Sequence, residues 1–239
     1  MNLEIFATPG DLAKAAAQIF AERSGRAVAR RGFFTVALSG GSTPKLLYQV
    51  LADRKEEHVP WMNVHFFWSD ERHVPPDHFE SNFRMANETM LSHVPVSREN
   101  VHRVTSENPD AAQAAKEYEE EVLKFVPGSP PRFDLILLGL GNDGHTASIF
   151  PGSEVLDETK RLVTAPGVEK LNAYRITMTL PLINNAEMVM FLVSGDEKAK
   201  IVKEVLQGPG GYPAQEVRPI NGKLIWMLDR EAASKFLQD

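Results

Sequence analysis

The sequence predicts a single α/β domain over residues 1–239, a largely parallel sheet flanked by helices on both faces. Three observations carry this prediction. Short apolar runs rich in branched and aromatic residues alternate with longer amphipathic segments, the pattern of βαβ units. The chain has 239 residues, 43% hydrophobic and 24% charged, enough length and apolar content for a sizeable core. The Pro and Gly stretches at 127–131 and 208–213 are short, and strand or helix patterns resume directly after each, so they read as loops inside one domain.

The elements follow in order. An amphipathic helix is predicted over 11–30, then a strand over 33–38, whose run of branched and aromatic residues suits a buried sheet position. A helix over 44–52 opens at Pro44, a residue favourable in a first helical turn. A second strand over 64–68 and a helix over 82–91 follow, then a helix over 111–125 and a strand over 133–138. Further strands are predicted over 175–180, 188–193 and 223–228. The helix over 197–206 places Lys among Glu197 and Glu204, and a terminal helix is predicted over 229–236.

Composition excludes several classes. Lys and Arg total 26 against 32 Asp and Glu, a net charge of -6 that argues against nucleic acid as the main partner while leaving room for a local basic pocket. The absence of Cys removes a disulfide framework, an iron–sulfur cluster, a Cys zinc site and a cysteine nucleophile, and suits a reducing cytoplasm. Residues 1–20 carry Glu4, Asp11 and Lys14 among apolar neighbours, unlike a signal peptide. No apolar run approaches the roughly 20 residues of a membrane span. The histidines form no metal signature: His73 and His78 are five apart in a Pro-containing loop. A cytoplasmic, metal-free monomer with no membrane and no nucleic-acid partner is the expectation.

The chemistry concentrates in four polar clusters, each directly after a predicted strand: Ser39-Gly40-Gly41-Ser42-Thr43-Pro44, Ser69-Asp70-Glu71-Arg72, the run 139–145 (Gly-Leu-Gly-Asn-Asp-Gly-His), and Ser194-Gly195-Asp196-Glu197-Lys198. In an open parallel sheet the carboxyl ends of strands are where ligands bind. Gly40 and Gly41 permit a tight turn with exposed N–H groups, Ser42 and Thr43 add hydroxyls, and a helix N-terminus behind them attracts an anion. The loop lacks the spacing and final Lys of a nucleotide P-loop, so a small phosphate ester suits it better than a triphosphate. The glycines at 139, 141 and 144 formally match a dinucleotide fingerprint, yet no helix opens directly after them and no acidic residue ends the next strand, so no nicotinamide cofactor is expected. His145 has the chemistry of a general base, with Asp143 two residues earlier to orient it. Arg72, Arg175 and Lys198 are positioned to complete a phosphate clamp.

Taken together, the runs at 38–44, 69–72, 81–82, 139–148 and 150–152, with Arg175-Ile176-Thr177, 181–184 and 195–198, resemble the 6-phosphogluconolactonase family over almost the whole chain and in order. The resemblance implies a Rossmann-like fold that hydrolyses 6-phosphoglucono-1,5-lactone, in the oxidative pentose phosphate pathway, without metal or nucleotide. It implies His145 as the base that activates water, and Gly40, Gly41, Ser42, Thr43, Arg72, Arg175 and Lys198 as phosphate holders. Asp70 and Asp143 would face sugar hydroxyls or position the base. The chain is also similar to glucosamine-6-phosphate deaminases through the phosphate loop, Asp70-Glu71 and Asp143-Gly144-His145. That pattern places a Glu five residues beyond the His, where this chain has Phe150. A non-catalytic sugar-phosphate sensor would keep the anion loop but need neither Asp143 nor His145.

Overall fold

The computed structural model describes residues 2–53, 59–168 and 173–237. Among these, six parallel strands form the main sheet: β1 (Asn2–Phe6), β2 (Phe34–Leu38), β3 (Val64–Trp68), β5 (Leu135–Leu138), β9 (Met188–Val193) and β10 (Lys223–Asp229), in the order β1-β10-β9-β5-β2-β3. Every residue of β2, β5 and β9 is buried, which is why these strands read as continuous apolar runs rather than alternating ones.

Helices cover both faces. On one side α1 (Pro9–Arg31), α2 (Ser42–Asp53) and α3 (Asn82–Thr89) bury Leu12, Phe20, Leu47, Leu51 and Ala86 against Val36, Phe66, Leu137 and Met190. On the other, α4 (Ala111–Phe125) and α6 (Ala199–Gln207) pack Tyr118, Val122, Ile201 and Val202 against Phe67, Ile136, Val189 and Phe191. The start of α1 is set by Thr8, whose hydroxyl accepts from the Asp11 N–H, with Pro9 in the first turn, and its end by Gly32 at φ 91°. Two buried tyrosines fix strand ends. The Tyr48 hydroxyl donates to the Ser39 carbonyl and accepts from the Ser39 N–H, and Tyr118 does the same at Trp68.

A smaller antiparallel sheet stands beside the main one: β4 (Asp70–Arg72) and β6 (Val163–Thr164) flank β8 (Ala173–Met178), with β7 (Gly167–Val168) also paired to β8. The strand predicted over 175–180 therefore lies here, shifted towards the N-terminus and outside the parallel sheet. Its sequence fits that place: polar Arg175 and Thr177 alternate with apolar Ile176 and Met178, although Thr177 is buried as well and donates to the Met178 carbonyl. It runs directly into the short helix α5 (Leu180–Ile183). The predicted terminal helix over 229–236 does not form. Asp229 ends β10, its carboxylate accepts from the Gly195 and Ala232 N–H groups, and the chain continues in turns. Strand β1, which the apolar pattern did not reveal, is a partly exposed edge strand carrying Glu4.

The strand order places the functional edge. From β2 the chain moves outward to β3, and from β5 it moves the opposite way through β9 and β10 to reach β1's neighbourhood. The reversal falls between β2 and β5, so the loops leaving these two strands diverge around a crevice at the carboxyl end of the sheet.

Away from that edge, His65 Nδ1 and His102 Nε2 lie 2.9 Å apart, and His102 Nδ1 is 2.7 Å from Glu121 Oε1. The His102 ring stacks on Phe67 at 4.4 Å and packs on Phe125. Burial holds both imidazoles below the usual histidine value, reinforced for His65 by His102 and opposed for His102 by Glu121. The unfolded chain, with histidines near 6.5, thus takes up protons before the folded one. The pair's contribution is full above about pH 6.5 and is lost as pH falls through the folded values. Thermal melts from pH 7.5 to 5 are expected to show Tm falling with acid, with a shallower slope in His102→Phe. Identical slopes in both proteins would contradict this assignment.

Candidate active site

The loop after β2 turns through Gly41 at φ 106° into the N-terminus of α2. Gly40 packs so closely on the Asn82 carboxamide that a Cβ there would collide with it. Thr43 Oγ1 lies 2.7 Å from Ser194 Oγ, joining this loop to the one after β9. The result is an α2 N-terminus whose N–H groups face open space, with Ser42 exposed at its tip.

The loop after β5 is a tight turn. The Gly144 N–H donates to the Gly141 carbonyl at 2.9 Å, the Gly141 N–H donates to the His145 carbonyl at 2.8 Å, and Thr146 Oγ1 donates to the Gly139 carbonyl at 2.9 Å. Gly144 needs its φ of 79°, and Gly141 has no room for a Cβ because the His145 imidazole lies over it. Here Asp143 Oδ1 meets His145 Nδ1 at 2.5 Å and also accepts from the His145 N–H at 3.2 Å. The Phe150 ring backs the imidazole at 4.4 Å. Asp143 loses some solvation, which opposes ionisation, but the hydrogen bond and charge of His145 outweigh that and hold its carboxyl below the ordinary value. A carboxylate on Nδ1 fixes the ring so that Nε2 presents its lone pair. Ala147, at φ 49°, continues the strained turn at the cavity wall.

Both loops open onto one cavity of about 640 Å³, lined also by Asp70, Arg72, Asn82, Asn142 and Lys198. Lys198 Nζ reaches Asn142 Oδ1 at 2.6 Å, and burial lowers its ammonium pKa, opposed by Glu197 and Asp143. Asp70 is buried, accepts from Ser148 Oγ at 2.7 Å, and also takes a longer contact from Asn82 Nδ2 at 3.4 Å. Its carboxylate therefore joins the histidine loop to α3, a role beyond the expected contact with sugar hydroxyls. The neighbouring Glu71 faces the other way and accepts from the N–H groups of Arg72, Asn82 and Phe83, each within 2.8 Å, so it holds the start of α3 in place. Burial raises its carboxyl above the ordinary value, partly offset by those three donors.

Arg175 stands apart from the cavity lining but directly opposite Arg72 in the β4–β8 register. Like charges in that position repel. The only hydrogen bond of the Arg72 guanidinium among the described residues goes to the Glu80 carbonyl at 2.7 Å. Burial and then the charge of Arg72 lower the pKa of Arg175, with Asp70, Glu80 and Glu71 opposing. A pair of juxtaposed guanidiniums is what a dianionic group requires.

The structure thus brings His145, Asp143, Gly40, Gly41, Ser42, Thr43, Asp70, Arg72 and Lys198 to one cavity, with Arg175 at its flank. Asn82, Asn142 and Phe150 were not singled out from the sequence as site residues. Asn82 follows the capping Ser81, a local signal of a helix start, and only the packing of α3 on Gly40 reveals its second contact. Among the described residues no group of three or more His, Asp or Glu is placed to hold a metal ion, and no described helix is long and apolar enough to cross a membrane.

Residues 7–226 match the family model described as glucosamine-6-phosphate isomerases/6-phosphogluconolactonase, and the chain belongs to that family. Within it, the chain is 45% identical over 213 residues to the 6-phosphogluconolactonase of Synechocystis sp., covering 87% of this chain and 86% of that protein. Among solved structures it is similar to 6-phosphogluconolactonase from Trypanosoma brucei, with a TM-score of 0.86 and 31% identity over 98% of this chain and 97% of that one. A monomeric glucosamine-6-phosphate deaminase shares the fold at a TM-score of 0.84 and 22% identity, covering 98% of this chain and 100% of that one.

Proposed function

We propose that the chain hydrolyses 6-phospho-D-glucono-1,5-lactone to 6-phospho-D-gluconate by direct attack of water, with His145 as general base. The observation that carries this reading is the Asp143–His145 pair facing an α2 N-terminal anion site across a single cavity. Relatives that cover most of the chain bear the name of this activity. The role in the oxidative pentose phosphate pathway follows from the reaction.

In this reading the phosphate rests on the N–H groups and hydroxyls of Gly40, Gly41, Ser42 and Thr43, with Arg72, Arg175 and Lys198 supplying positive charge. The lactone ring then extends towards His145. Nε2 takes a proton from water as its oxygen bonds to the carbonyl carbon, and Asp143 stabilises the imidazolium that forms. Collapse of the tetrahedral intermediate breaks the bond to the ring oxygen, which receives the proton back from Nε2. A δ-lactone is already reactive, so positioning and a base account for most of the acceleration required.

Three of the four candidate serines are committed elsewhere, with Ser148 Oγ donating to Asp70, Ser39 Oγ to the Gly40 carbonyl and Ser69 Oγ to the Leu38 carbonyl, while Ser42 is exposed at the tip of α2. None is hydrogen-bonded to His145, which favours water over a serine nucleophile. Phe150 packs on the imidazole at the position where the deaminase pattern has a Glu.

The test is the decay of freshly generated lactone, corrected for spontaneous opening and run with EDTA, using wild type and His145→Ala. Acceleration that survives EDTA and collapses in the variant is expected. No acceleration by wild type would refute the assignment. Mass spectrometry of protein quenched during turnover is expected to show no acyl adduct, and an adduct on a serine would overturn direct water attack.

A further inference from the structure

The loop at 208–213 lies beyond the residues assigned above, yet it carries a contact with the histidine turn. A Cβ on Gly144 would collide with the Tyr212 side chain at Cδ1, Cγ and Cβ, so that ring is packed against the turn that presents His145. The contact is held from both sides. The Tyr212 hydroxyl donates to Glu204 Oε2 at 2.5 Å, and the Tyr212 N–H donates to Gln215 Oε1 at 3.0 Å. Gln215 Nε2 in turn donates to the Val205 carbonyl at 3.0 Å. The Ala214 N–H then donates to the Gly144 carbonyl at 3.1 Å. Gly210 and Gly211, at φ 116° and 105°, let the loop bend back to place this tyrosine.

We propose that Tyr212 is a positioning residue for the catalytic turn, holding Gly144 from behind so that Asp143 and His145 keep their alignment. Two ties run from the α6 region to this turn. One is Lys198 to Asn142, and Lys198 lines the cavity, so a bound anion competes for its ammonium. The other is Glu204 through Tyr212 to Gly144, which faces away from the cavity and persists when Lys198 turns to substrate. The turn's own hydrogen bonds are short-range, and its ties to other elements run through the Ala214 N–H to the Gly144 carbonyl and through Ser148 to Asp70 and Thr177. Packing by an aromatic ring anchored at its far end adds a side-chain brace directly behind Gly144.

This inference rests on the lactonase reading for its kinetic arm only. Tyr212→Ala is expected to lower kcat about tenfold or more with KM changed less than about twofold, because phosphate contacts are untouched. Tyr212→Phe, which keeps the ring against Gly144 but loses the Glu204 anchor, is expected to show a kcat between those of wild type and Tyr212→Ala. The second arm needs no activity: ¹⁵N NMR of the imidazole is expected to show His145 as the Nδ1–H tautomer in wild type and a tautomer mixture in Tyr212→Ala. A folded Tyr212→Ala with wild-type kcat and an unchanged His145 spectrum would overturn the proposal, as would a loss confined to KM. An inactive wild type with the predicted tautomer change would refute the lactonase reading and leave the positioning role standing.

Discussion

His145→Ala is expected to lower kcat by about 10²- to 10⁴-fold, or roughly 3 to 5 kcal/mol of barrier, with KM nearly unchanged. The imidazole acts on a proton that moves only in the transition state, so its removal takes away differential rather than uniform binding. Asp143→Asn is expected to fall in the same direction by less. The carboxamide still reaches Nδ1 but no longer supplies the charge that stabilises the imidazolium. Steady-state kinetics on freshly made lactone, with the spontaneous rate subtracted, is the measurement. A His145→Ala enzyme with wild-type kcat would remove the residue from the chemistry.

Arg72→Ala is expected to act on the other kinetic constant. Loss of a charge-assisted contact to phosphate costs about 1.5 to 3 kcal/mol, which raises KM by roughly 10- to 150-fold while kcat stays within a few-fold. A second consequence separates this arginine from an ordinary structural one. Because Arg72 faces Arg175 across β4–β8, removing either guanidinium relieves repulsion in the ligand-free protein. Tm of Arg72→Ala is therefore expected to equal or exceed that of wild type even as affinity falls, the relation seen where function is held against stability. Inhibition by inorganic phosphate should weaken in parallel with the rise in KM. A loss expressed in kcat alone, or a clear fall in Tm, would contradict the clamp.

Much of this site is written in local sequence because its parts obey local rules. Gly41 and Gly144 occupy positive φ, Ser42 and Thr43 open a helix, and Asp143 reaches His145 only two residues away. Each needs a handful of adjacent residues, so spacing and residue type suffice to find it. The apolar runs behave likewise: a strand buried on both faces is apolar along its length, and β2, β5 and β9 are legible for that reason, as are the apolar centres of β3 and β10. The branched residues of 175–180 marked a strand but not which sheet it joins, since pairing partners are set by the fold rather than by the strand. The helix expected after 229 gives way to turns, in which the Ala233 N–H donates to the Asp229 carbonyl, the Ser234 N–H to the Glu231 carbonyl and the Leu237 N–H to the Ala233 carbonyl, while the Asp229 carboxylate is shared between Ala232 and the distant Gly195.

The sequence by itself determined the α/β class, the glycine turn and helix start at 39–44 and the Asp143–His145 pair, because helix starts, tight turns and two-residue contacts depend on near neighbours. Tertiary structure alone decided that the loops after β2 and β5 share one crevice, because the strand order reverses between them. It also decided that Arg72 faces Arg175, that Asp70 bonds to Ser148, and that Tyr212 stands behind Gly144. Each of those contacts joins residues far apart along the chain, and they meet only after the sheet has been ordered and its helices packed.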